Sequence, residues 1–156
     1  MLTKIPHGLD EIIAMFGDPA SVGWEEANIV SFDLPYPLIY DGGNGTSFHV
    51  TRTRCHRLVV ENFIGAFRDI EAAALTPLVT NFGGLYNQRQ KRTNPSHPST
   101  HSWGIAIDLE PKRYPLGGHD RFPDAVVTIF QKYGFMYGGD FHGTLDPMHW
   151  QLATGY

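Results

Sequence analysis

The chain reads as a single α+β domain, a small and mainly antiparallel sheet flanked by helices. Three observations carry that reading. Apolar residues recur at helical spacing in residues 8–16, 57–75 and 122–133. Between them lie short apolar runs bounded by Gly, Pro and Asn, the mark of strands. The helical and strand signals are interspersed without a regular βαβ repeat, which argues against a parallel sheet.

Taken in order, Leu9, Ile12, Ile13 and Phe16 make one face of a short helix, stopped by Gly17-Asp18-Pro19. Residues 28–34 (Ile29, Val30, Phe32) predict a strand ended by Pro35 and Pro37, and Asp41-Gly42-Gly43-Asn44-Gly45 predicts a turn. Leu58, Val59, Phe63, Ile64, Phe67 and Ile70 form the stripe of the longest helix, expected over 57–75. Residues 78–82 and 85–89 read as strand on either side of a bend or bulge at Gly83-Gly84. A polar, Pro-rich loop follows over 93–100, then a strand over 105–109. The helix over 122–133 has Pro123 in its first turn and Gly134 as its stop. Short strands over 135–137 and 148–152 close the chain, and the pattern leaves strand order open.

Composition narrows the function classes. The 156 residues suit one domain, 1–156, and the formal net charge of −4 leaves no basic footprint for nucleic acid; the run Arg89-Gln90-Lys91-Arg92 is too small to supply one. One cysteine, Cys55, excludes an intrachain disulfide, fits a reducing cytoplasm and reads as a small buried apolar residue. No stretch approaches the roughly 18 apolar residues of a membrane span, and the first residues hold no apolar run of signal-peptide length. The expectation is a soluble monomer, cytoplasmic when made, without stable membrane association.

Two segments carry chemistry. In Ser99-Thr100-His101-Ser102-Trp103-Gly104-Ile105-Ala106-Ile107-Asp108, a histidine and a carboxylate bracket a glycine turn and a short apolar strand. Asp108 then sits at the end of a buried strand, where an unpaired charge is costly and a cation would relieve it. A capping histidine and a salt-bridged aspartate are the plainer reading of either residue alone. In Asp146-Pro147-Met148-His149-Trp150, proline sets Asp146 at the mouth of a strand, with His149 on one face and Met148 and Trp150 on the other. His101, Asp108 and His149 make a set that suits zinc with a fourth position left open, and Asp146 is a carboxylate free to move a proton. Arg89, with Arg92 behind it, is a candidate cation for the oxygen of a hydrolysed amide or for a substrate carboxylate. Of the eight histidines, His7, His49 and His56 stand far from these segments, and His97 and His119 lie in nearby loops. His142, four residues before Asp146, is the candidate for a further substrate contact.

These segments resemble the zinc peptidases that comprise D-alanyl-D-alanine carboxypeptidases and dipeptidases together with phage L-alanyl-D-glutamate endolysins. The resemblance rests on Ser99, His101, Gly104, Ala106 and Asp108, then on Asp146, His149 and Trp150, with Gly138-Gly139-Asp140-Phe141 and the Arg89-bearing segment beside them. It covers about residues 82–151 and implies that His101, Asp108 and His149 hold Zn2+ and that Asp146 is the general base. The family's arginine-bearing strand is similar to the Arg89 segment, which leaves Arg89 or Arg92 as the catalytic cation, with Arg89 favoured for following a strand. Arg92, His142 and Ser99 are the further candidates for substrate contact. Aspartate at 146, where relatives also carry glutamate, resembles the endopeptidase branch. The implied substrate is a stem peptide of peptidoglycan, cut by a compact phage lysin that reaches the wall after the membrane is permeabilised. A D-alanyl-D-alanine carboxypeptidase and a non-catalytic zinc-containing wall-binding or virion module are the alternatives.

Overall fold

Helical spacing in the first segment becomes packing in the computed structural model, which describes residues 1–92 and 94–156. Helix α1 (Gly8–Phe16) buries Ile12 and Phe16 and ends where Gly17, at φ 80°, donates its N–H to the Ile13 carbonyl. A second short helix, α2 (Trp24–Asn28), has no counterpart in the sequence reading; Trp24 anchors it by donating Nε1–H to the Phe16 carbonyl at 2.7 Å.

Strand β1 (Ile29–Asp41) pairs antiparallel with β2 (Ser47–His56) across the expected turn, where Asp41 Oδ1 accepts from the Gly43 N–H. The expected stop at Pro35 and Pro37 is corrected: β1 runs through both prolines, and the register shifts between Asp33 and Leu38. This two-stranded sheet has no central strand, so an N–H missing from the ladder is tolerated there. Helix α3 (Val60–Ala72) is shorter at both ends than expected and packs Phe63, Ala66, Phe67 and Ile70 into the core. The strand expected over 78–82 is also corrected. Thr76–Leu78 is a 3-10 turn with Pro77 in its first positions, and the strand that follows, β3, is only Phe82–Gly84.

The second sheet has the order β3-β4-β6-β5, antiparallel throughout, with β4 Ala106–Leu109, β5 Met136–Tyr137 and β6 His149–Gln151. The β3–β4 register shifts between Phe82 and Gly84, so the expected bulge is present. The strand expected over 85–89 is absent. Backbone groups there bond instead to the 3-10 turn Thr100–Trp103: Asn87 N–H donates to His101 O, and Ser102 Oγ bridges the Arg89 N–H and C=O at 2.9 and 2.8 Å. Of the loop expected over 93–100, Thr93 lies outside the described residues. Helix α4 (Asp124–Lys132) starts after Pro123 and covers the sheet with Val126, Val127 and Phe130; Gly134, at φ 87°, ends it.

Alternation along β6 organises the molecule. Trp150 points into the core against Phe130 (4.5 Å between centroids), Tyr137 (4.4 Å) and Phe122 (5.3 Å). His149 and Gln151, two residues apart, share the opposite face. The apolar core continues from α1 through α3 and α4 to Leu152. No helix of the described residues is long and apolar enough to cross a membrane.

Candidate metal centre

Asp108 of β4 pairs directly with His149 of β6 in the antiparallel ladder, so backbone register brings a carboxylate and an imidazole side by side. The third member arrives from the 3-10 turn. Ser99 Oγ caps that turn by accepting the His101 N–H, and Gly104, at φ 65°, closes it. A side chain at Gly104 would meet the His56 backbone nitrogen at 2.8 Å, so the tight turn needs glycine on two counts.

The three donor atoms converge. Asp108 Oδ1 lies 3.2 Å from His101 Nε2 and 2.9 Å from His149 Nδ1, and the two nitrogens are 3.2 Å apart. All three side chains are buried. His101 Nδ1 sits 2.6 Å from the Leu85 carbonyl, which only accepts, so Nδ1 carries the proton and Nε2 turns a lone pair inward. Donors about 2.0–2.2 Å from a tetrahedral zinc stand roughly 3.3–3.6 Å from one another, slightly wider than these separations. Burial pushes the Asp108 carboxyl up, but hydrogen bonds from His101 and His149 outweigh it and hold it well below the usual carboxylate range. Burial pulls His149 down, and the Asp108 carboxylate more than reverses this. The site therefore favours positive charge among its three donors, and the residues fit a metal ion. No other such group of His, Cys, Asp and Glu occurs among the described residues.

The cluster opens onto a cleft of about 560 Å³ whose walls include Arg89, Arg92, Ser99, His142 and Asp146. Asp146 precedes β6, and its N–H donates to Gly138 O at 3.0 Å. A Cβ at Gly138 would collide with the Asp146 carbonyl, so that close approach depends on glycine. Arg121 holds the same turn from outside, bonding Asp140 at 2.6 Å and the Gly139 carbonyl at 3.2 Å. Asp146 Oδ1 is buried with no hydrogen-bond partner among the described residues. Burial pushes its carboxyl above the usual range; the His149 ring opposes that and the Asp108 charge adds to it.

Arg89 is half-buried, its backbone clamped by Ser102 and by the Ser99 N–H. Burial and the neighbouring Arg92 pull its pKa down, while Asp108 and Asp146 attract it. Arg92 and His142 line the cleft as exposed side chains. His119 is exposed and does not line the cleft, and half-buried His97 packs edge-on against Tyr156 at 6.2 Å. His7 and His49 are exposed, and His56 is buried in the core against Phe16 and Trp24. The sequence reading passed over Thr100 and Gln151, which stand 3.3 and 3.0 Å from His149 Nε2. Both flank a ligand candidate, Thr100 one residue before His101 and Gln151 two residues after His149 on a strand, which was the signal available.

Residues 92–152 match the family model described as D-alanyl-D-alanine carboxypeptidase. Over that stretch the chain is similar to this peptidase family. The match contains His101, Asp108, Asp146 and His149; Arg89 and β3 precede it. Together with the buried His-Asp-His cluster it makes the chain a metallopeptidase, of the kind that acts on peptidoglycan. A search of the curated proteins found no match, and neither did a search of the solved structures.

Proposed function

We propose that the peptidase is zinc-dependent and cuts the L-alanyl-D-glutamate bond of the peptidoglycan stem peptide, with residues 1–156 acting as one unit on the wall after membrane permeabilisation. The observation that carries the catalytic reading is the unpartnered Oδ1 of Asp146, buried at the edge of the His101-Asp108-His149 cluster. A site built only to hold metal for folding has no use for it.

His101 Nε2, Asp108 Oδ1 and His149 Nδ1 would hold the ion. Zinc bound there supplies a Lewis acid that polarises the scissile carbonyl and acidifies an attacking water. Asp146 accepts the proton of that water at Oδ1 and returns it to the leaving amine. Its raised pKa suits both halves of that transfer better than an ordinary aspartate would. The Arg89 guanidinium, held near both carboxylates, offsets negative charge developing on the carbonyl oxygen. Arg92, His142 and Ser99 line the path of the peptide.

Two features favour an endopeptidase: aspartate at 146, and a cleft roomier than a terminal D-alanine requires. The description of the matching family favours a carboxypeptidase as the second reading. Mass spectrometry of purified peptidoglycan, digested by the zinc-loaded protein and by Asp146→Asn, separates them. Stem peptides freed from L-alanine by the wild type alone support the proposal. Released D-alanine moves the assignment to the carboxypeptidase. No fragments from several wall types, with zinc confirmed bound, would leave a non-catalytic wall-binding module.

A further inference from the structure

His149 turns Nδ1 toward the cluster, whereas His101 turns Nε2 toward it. The Leu85 carbonyl settles the protonation of His101. For His149 the outward nitrogen, Nε2, faces two groups that can either donate or accept: the Gln151 amide at 3.0 Å and the Thr100 hydroxyl at 3.3 Å. An amide turned with its NH2 toward Nε2 would draw the lone pair there, put the proton on Nδ1 and block that atom as a ligand.

The next link removes the ambiguity. The far end of the Gln151 amide lies 3.0 Å from the Ala153 carbonyl, which only accepts. The NH2 group must point to Ala153, so Oε1 must point to His149, and His149 Nε2 must carry the proton. Thr100 is consistent: its hydroxyl donates to the same Oε1 at 3.1 Å, leaving its lone pairs to the Nε2–H. Gln151, Thr100 and His149 are all buried, at the wall of the cleft. Ala106, opposite Gln151 in the β4–β6 ladder, contributes only a methyl group and leaves the amide room.

We infer that Gln151 is a positioning residue: read against the Ala153 carbonyl, its amide fixes the His149 tautomer that presents Nδ1 to the metal. This rests on the metallopeptidase reading and adds the group that sets one ligand. The test is zinc affinity without substrate, by competition with a chromophoric chelator, for the wild type, Gln151→Leu and Gln151→Glu. Gln151→Leu is expected to bind zinc about 10- to 100-fold more weakly. Gln151→Glu is expected to stay within a few-fold of wild type, because a carboxyl whose proton faces the Ala153 carbonyl still presents its other oxygen to His149. Equal zinc affinity in Gln151→Leu, or a Gln151→Glu as weak as Gln151→Leu, overturns the inference while leaving the metal site standing. A wild type that binds no zinc overturns both. Should Gln151→Leu fail to fold, the wild type loaded with cadmium-113 and 15N-histidine decides: coupling of the metal to Nδ1 of His149 supports the role, and coupling to Nε2 ends it.

Discussion

Among the described residues, the stretch before β3 buries only His56 and Asn62 of its polar side chains, whereas the stretch after it buries Ser99, Thr100, His101, Ser102, Asp108, Glu110, His149 and Gln151. The first stretch keeps its charges outside, in exposed pairs such as Arg52–Asp33 and Arg54–Glu25, which add little stability. Its interior is Phe63, Phe67 and Ile70 against the hairpin. The second stretch carries buried charge that folding alone would avoid, and keeps it only where hydrogen bonds converge. The contrast separates a scaffold from a site, and substitutions on the two sides should fail in different ways.

The largest effect is expected from His149→Ala. It removes a ligand, so zinc measured by elemental analysis and peptidase activity should disappear together; full zinc with activity lost would put His149 outside the metal set. Asp146→Asn should keep zinc at wild-type stoichiometry while turnover falls by about 10²–10⁴-fold, the usual contribution of a general base. Turnover near wild type would remove Asp146 from that role. Arg89→Ala should lower turnover on the order of 10²-fold, the cost of one donor to a developing oxyanion, and Arg92→Ala by much less. The reverse ranking would move the cation to Arg92.

On the scaffold side, Phe67→Ala should cost about 3–5 kcal/mol of stability in a denaturant titration, as buried aromatics do, with zinc per folded molecule unchanged. Lost zinc at full folding would show that the two stretches are not separable. The smallest effect concerns His56. Burial pulls its pKa down to about 4, from an ordinary value of 6.5. The unfolded chain therefore takes up a proton that the folded chain refuses as pH falls from 6.5 toward 4. Stability from this group is full above that window and is lost within it. Melting temperatures of wild type and His56→Phe, compared across those pH values, should fall less steeply in the variant; equal slopes would mean that His56 is protonated in the fold.

The same contrast explains what the sequence showed. The candidate ligands were legible because a histidine, a turn glycine, an apolar strand and an aspartate have a narrow set of joint explanations. The bounds of helix α1 were legible to the residue, since Leu9, Ile12 and Phe16 pack on the core and Gly17 ends them, although Ile13, expected on the same face, is exposed. Strand β2 was not: Ser47–His56 is exposed on most of its length and shows little apolar alternation. The 85–89 segment looked like a strand by composition, but its backbone partners are a carbonyl and a hydroxyl of the His101 turn, which no local pattern reveals. The role of Gln151 was equally hidden, because it depends on a carbonyl two residues on and on a threonine fifty-one positions earlier in the chain.

Strand β6 has a ligand face and a core face only one residue apart. Shifting its pairing by a single position would send Trp150 to the cleft and His149 among the aromatic rings. A chain that closes in the wrong register is therefore also blind to metal. Bound zinc per molecule then serves as a count of correctly registered chains, and after refolding it can be read before any substrate is at hand.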